Sequence, residues 1–210
     1  MTTRVCVIRH GETDWNQEHR IQGQLDIPLN KTGRTQALAM ASIASDQEFS
    51  AIYSSDLTRA LETAKALNQD STKDITARPE LRERHFGIFQ GLSKDEANKN
   101  HPEAYTRYLA RDVNYNLENG ESLTEFSQRV MSIFEELRQQ HSNQQLAVVC
   151  HAGLLDIMYR NTTGRTLESQ RDFDIPNCAL NWFHHDGSCW HLDSWGNHEH
   201  LNKVMMDSVE

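Results

Sequence analysis

The chain has 210 residues, 37% of them hydrophobic and 24% charged, a composition that fits one compact domain, residues 1–210, and excludes an extensively disordered polymer. A formal net charge of −9 argues against nucleic-acid binding and opposes anionic ligands overall, so a phosphate-bearing ligand would need a few converging cations.

In chain order, Val5 to Ile8 is a short apolar run, too short for a signal peptide or a membrane span, and it stops at Arg9-His10-Gly11. A cytoplasmic location and no membrane partner follow as expectations. After the Thr32-Gly33 turn, Arg34 to Ser45 reads as a helix, Ala51 to Ser54 as a strand, and Leu57 to Leu67 as a helix following Asp56. The stretch 92–120 is polar, carries Tyr105, Tyr108 and Tyr115, and places His101-Pro102 between short helices; it reads as an insertion or lid.

Ser122 and Glu125 form a capping box opening a helix to His141, with Leu123, Phe126, Val130, Ile133, Phe134 and Leu137 on one stripe. Gln145 to Cys150 is a second fully apolar-cored strand, ending at His151-Ala152-Gly153. Segments 178–183 and 189–195 around Asp186-Gly187 read as a β-hairpin. Alternating strands and helices give an α/β fold, whose ligands collect at the carboxyl ends of the strands. The cysteines Cys6, Cys150, Cys178 and Cys189 lack C-x-x-C spacing and read as reduced core residues. Asn30-Lys31-Thr32 and Asn161-Thr162-Thr163 match the glycosylation pattern, which has no consequence without secretion.

One histidine at a strand end would be read as structural. Two, His10 and His151, in matching strand-end contexts beside glycine, with Arg9 adjoining the first, point instead to a phosphate site. RHGET (9–13) resembles the signature of the histidine phosphatase superfamily, which includes cofactor-dependent phosphoglycerate mutases and small-molecule phosphatases. Segments 15–37, 53–64, 81–91, 119–123 and 148–153 resemble further blocks of that family in the same order.

The resemblance implies a three-layer α/β/α sandwich with a central, mostly parallel mixed sheet. It also implies a phosphohistidine formed on His10, with Arg9, Arg59 and His151 around the phosphoryl group and Glu83 as proton donor and acceptor. Asn16, Gln22, Gly23, Arg84, Lys94 and Ala152 are the expected substrate-binding residues. No cofactor and no metal are implied, because guanidinium and imidazole groups would supply the positive charge. The C-terminal histidines His184, His185, His191, His198 and His200 show no metal-binding spacing.

Whether the phosphoryl group passes to water or to a second substrate position separates a phosphatase from a mutase. Arg84 and Lys94 favour a mutase. The short 92–120 segment, with Arg107 and Arg111 separated, and the absence of a tryptophan after Gly23 favour a phosphatase acting on a small carboxylated or sugar phosphate. A catalytically dead phosphate-binding protein would have lost at least one of Arg9, His10, Arg59, Glu83 and His151, and all five are present. The expected partner is a small phosphorylated metabolite, and a homodimer is left open.

Overall fold

Val5 to Ile8 and Leu146 to Cys150 have no exposed surface at any position. Strands apolar at every residue must be covered on both faces, and these two form the centre of a sheet sandwiched between helices. The computed structural model describes residues 2–44, 47–69 and 73–201.

The elements in order are β1 (Thr3–Arg9), α1 (Asp14–Gln17), α2 (Lys31–Ala44), β2 (Ala51–Ser54), α3 (Thr58–Leu67) and β3 (Ile75–Ala77), followed by α4 (Lys94–Asn100), α5 (Pro102–Leu109) and α6 (Leu123–Gln140). β4 (Gln145–Cys150), α7 (Ala152–Thr163), β5 (Leu180–His185) and β6 (Trp190–Asn197) complete the fold. The sheet order is β3-β2-β4-β1-β5-β6. The first four strands are mutually parallel, while β5 and β6 add an antiparallel hairpin beside β1.

Successive side chains of a strand point to opposite faces. Val5, Val7, Leu146 and Val148 accordingly pack with Phe126, Val130 and Phe134 of α6 and with Leu154 and Met158 of α7. Cys6, Ile8, Ala147 and Val149 pack on the other face with Ala37 and Met40 of α2 and Ala60 and Ala64 of α3. This is the three-layer arrangement that the resemblance implied. Among the described residues, no helix is long and apolar enough to cross a membrane.

Local chemistry sets the helix ends. The Ser122 hydroxyl accepts the Glu125 N–H (3.1 Å) while the Glu125 carboxylate accepts the Ser122 N–H (2.8 Å), the expected capping box. α2 starts at Lys31, three residues earlier than its pattern suggests, because Asn30 Oδ1 accepts the Gly33 N–H at 2.8 Å. Gly33 thus lies inside the helix, where a Cβ would stand 2.0 Å from the Glu12 carbonyl oxygen; only glycine lets the loop after His10 press this close. Ser45, the expected helix end, lies outside the described residues.

Two expectations need correction. Cys189 is exposed, since it sits in the β5–β6 turn, whereas Cys6, Cys150 and Cys178 are buried. Cys178 precedes the hairpin in a left-handed conformation (φ 54), so β5 begins at Leu180. α7 follows His151 directly, its apolar residues Leu154, Leu155, Ile157 and Met158 buried and its end set by Gly164 at φ 70. Residues 92–120 do hold two short helices with His101 between them, and they pack on their own cluster of Phe89, Ala97, Tyr105, Tyr115 and Leu117.

Phe134 is fully buried in the cluster between α6 and the sheet. Phe134→Ala is expected to lower unfolding free energy by roughly 3–5 kcal/mol, measured by urea denaturation at unchanged m-value; a loss below about 1 kcal/mol would contradict this packing.

Candidate active site

Parallel pairing of β1 with β4 aligns Arg9 with Cys150, so the next residues, His10 and His151, emerge side by side. The His10 N–H donates to the Cys150 carbonyl (2.9 Å), and the two rings lie 5.1 Å apart at 60°. His10 Nδ1 is 2.6 Å from the Gly11 carbonyl oxygen. A carbonyl only accepts, so Nδ1 carries the proton and Nε2 keeps a free lone pair. Burial, with Arg59 and Arg9 adding to it, holds the His10 pKa well below 6.5, so the ring is neutral at neutral pH.

His151 is neutral for the same reasons, burial first and then Arg59, His10 and Arg9. Its Nε2 lies 2.9 Å from the Ser55 hydroxyl, while its buried Nδ1 has no protein partner. Ser55 Oγ also accepts the Leu57 N–H at 3.3 Å, which fixes the hydroxyl beside the ring. Ser55 lies just past the end of β2, within the 53–64 segment, but nothing in that segment marks its side chain as the partner of His151.

Arg59 projects from the first turn of α3 and is 1% exposed, donating to the Leu25 (2.8 Å) and Gly23 (2.7 Å) carbonyls. Asp26 in that same loop caps α3, accepting the Thr58 N–H and hydroxyl at 2.7 Å each. Arg9 donates to the Ile175 carbonyl at 2.6 Å. Burial lowers both guanidinium pKa values to about 10, and each remains a cation at neutral pH, with an unpartnered buried Nε.

The Glu83 carboxylate accepts the Arg84 N–H (2.8 Å) and the Gly153 N–H (3.0 Å) at the start of α7. A Cβ at Gly153 would stand 2.1 Å from Glu83 Oε1, so the glycine makes room for the carboxylate. The backbone under Glu83 is gripped by Arg129 of α6, which donates to the carbonyls of Glu80 (2.7 Å), Arg82 (2.8 Å) and Glu83 (3.2 Å) and pairs bidentately with Glu121. No motif marked Arg129, since its partners come from segments far apart in the chain.

These groups meet in a cavity of about 140 Å³, whose lining includes Arg9, His10, Asn16, Gln22, Gly23, Arg59, Glu83 and Ala152. Asn16 Oδ1 accepts from the Thr13 N–H at 3.1 Å, leaving its NH₂ as the end available to a ligand. Arg20 and Phe86 also line the cavity, although neither was expected there. Lys94 lies instead in an adjoining open groove with Arg171 and Asn177, which shares Arg9 and Asn16 with the cavity. Arg84 does not line the cavity: its guanidinium is committed to the Glu121 (2.8 Å) and Tyr115 (3.3 Å) carbonyls, tying down the 115–121 loop. Among the described residues, one cluster of metal-type donors occurs, Asp186, Cys189 and His191, and it is on the β5–β6 turn, not here.

The site is therefore a pocket with a neutral imidazole bearing a free nitrogen, two buried cations and a carboxylate, while the fully buried His151 ring does not line the cavity and lies 5.1 Å from the His10 ring. Such a set can bind a phosphoryl group, accept it on nitrogen and exchange a proton with its ester oxygen.

Comparison with known proteins gives the same reading. Over 204 residues the chain is 36% identical to phosphoglycerate mutase-like protein 4 of Arabidopsis thaliana, covering 95% of this chain and 87% of that protein. It is 33% identical over 205 residues to a metal-independent phosphoserine phosphatase of the same plant, covering 96% and 84%. Phosphoserine phosphatase from Entamoeba histolytica, solved in complex with phosphoserine, matches with a TM-score of 0.85 at 27% identity over 95% of this chain and 99% of that one. The sequence model of the histidine phosphatase superfamily (branch 1) matches residues 5–198, nearly the full length, and the chain belongs to that family.

Proposed function

We propose that the protein is a metal-independent phosphatase that hydrolyses a small phosphate monoester through a phosphohistidine on His10. The observation that carries this reading is the His10 ring itself, with Nδ1 fixed by the Gly11 carbonyl and Nε2 free beside Arg9, Arg59 and Glu83. Nε2 attacks phosphorus, the ester P–O bond breaks, and a protonated Glu83 gives its proton to the leaving oxygen. Water then attacks the phosphohistidine, Glu83 takes the water's proton, the P–N bond breaks, and inorganic phosphate departs.

Arg9, Arg59 and His151 stabilise the charge on the transferred phosphoryl oxygens, the work a divalent ion does in metal-dependent enzymes. For His151 this requires Nδ1 to carry the proton, with the Ser55 hydroxyl donating to Nε2. The phosphatase relatives support hydrolysis, as does the engagement of Arg84 with backbone carbonyls, which removes a group the mutase reading assigned to the substrate. The adjoining groove is lined by Arg9, Arg20, Lys94 and Arg171 as well as by Glu12, Glu18 and Asp95, and its cations suit a leaving group carrying a carboxylate, so phosphoserine and 3-phosphoglycerate are the first substrates to try.

Three outcomes test this reading. In a panel of phosphate monoesters with excess EDTA, phosphate release is expected to persist in the wild type and to fall by several orders of magnitude in His10→Ala; full turnover by that variant would sink the mechanism, and isomerisation of 3-phosphoglycerate outrunning phosphate release would restore the mutase. By NMR, the ring resonances of His10 and His151 should not titrate near 6.5, the ordinary imidazole value, but only at more acidic pH; a His10 midpoint at or above 6.5 would contradict a neutral nucleophile. Gly153→Ala displaces the Glu83 carboxylate, so kcat should drop by roughly 10²–10⁴-fold for alkyl phosphates and much less for p-nitrophenyl phosphate, whose leaving group needs no proton. Equal losses on both substrates would count against Glu83 as the acid.

A further inference from the structure

The turn joining β5 to β6 is at the opposite end of the sheet from His10. Thr3, the first residue of β1, pairs with His185, whereas His10 follows the last residue of β1. At about 3.3 Å per residue this separates the turn from the pocket by roughly 20 Å.

At the turn, Asp186 Oδ1 accepts three hydrogen bonds: from the Ser188 N–H (2.7 Å), the Ser188 hydroxyl (2.7 Å) and the Cys189 N–H (3.0 Å). They fix the carboxylate as an anion and leave Oδ2 for His191, whose Nε2 is 2.9 Å away. Cys189 Sγ lies 3.4 Å from the same Nε2. An oxygen, a nitrogen and a sulfur donor thus converge within 4.8 Å of one another. The His191 ring is held on its face by His184, stacked at 4.8 Å and 19°, and His184 Nδ1 is itself 2.5 Å from the Asp193 carboxylate.

We propose that Asp186, Cys189 and His191 bind one divalent cation of the zinc class, with water in the fourth tetrahedral position. Thiolate with imidazole selects a borderline-soft ion over magnesium or calcium, which take oxygen ligands. Zinc bonds of about 2.0–2.3 Å set tetrahedral donors roughly 3.3–3.7 Å apart, so the 2.9 Å and 3.4 Å separations from His191 Nε2 need to open by only a few tenths of an ångström, with Asp186 and Cys189 already within 4.8 Å of each other. On binding, the Cys189 thiol releases its proton to solvent and the His191 proton resides on Nδ1, a net loss of one proton per ion. The cation clips the hairpin turn and takes no part in the phosphoryl chemistry.

The test titrates zinc into the full-length protein against a chromophoric chelator and repeats the binding with cobalt. One zinc per chain and a thiolate-to-cobalt charge-transfer band are expected. Cys189→Ser and His191→Ala should each abolish the band and weaken zinc binding beyond the roughly 10–100-fold that loss of an outer partner brings. Both side chains are solvent-accessible, so phosphate release should be unchanged in the two variants, which also shows that they fold. No stoichiometric zinc, no cobalt–thiolate band, or variants that bind as well as the wild type would overturn the site; phosphate release that falls in the variants would overturn its independence from the pocket.

Discussion

The in-register pairing of β1 with β4 is the contact on which the site depends. It aligns Arg9 with Cys150, and the hydrogen bond from the His10 N–H to the Cys150 carbonyl carries that alignment one residue past the strand ends. A slip of one residue would turn the apolar set of β1 to the wrong face and move His10 away from His151. Because Val5 to Ile8 and Leu146 to Cys150 are fully buried on both faces, such a slip is resisted by the whole core. Positioning of the two imidazoles is therefore a consequence of hydrophobic packing, not of local hydrogen bonding alone.

Electrostatics then works against the bulk charge of the molecule. A chain with a net charge of −9 keeps two buried guanidiniums at its pocket, each fixed by carbonyl oxygens and each with an unpaired Nε. Burial beside these cations is also what keeps both imidazoles neutral, as a nucleophile must be. The same arrangement has a cost in acid. Below 6.5 the unfolded chain binds protons that the native histidines refuse, so stability falls as pH drops from 6.5 toward their depressed values.

Much of this was legible in the sequence because it is local. Continuous apolar runs ending in histidine and glycine gave the strands and the two imidazoles, and Ser122 with Glu125 gave the start of α6. What was not legible depends on contacts between distant segments. Arg129 grips the backbone of Glu80, Arg82 and Glu83 from almost 50 residues away, and Ser55 reaches His151 across 96. Arg84 looked like a substrate ligand by position, yet its direction is decided by the carbonyls of the 115–121 loop. The Asp186–Cys189–His191 cluster likewise appears only when the turn folds the carboxylate back onto the strand.

The central claim is that the phosphoryl group rests on His10 during turnover. Rapid acid-free quenching of the enzyme with a phosphate monoester in EDTA, followed by peptide mass spectrometry, measures this directly. The account predicts an acid-labile phosphate on the peptide containing His10 that disappears as phosphate is released. Turnover with no label on His10, or with the label on another residue, would contradict it.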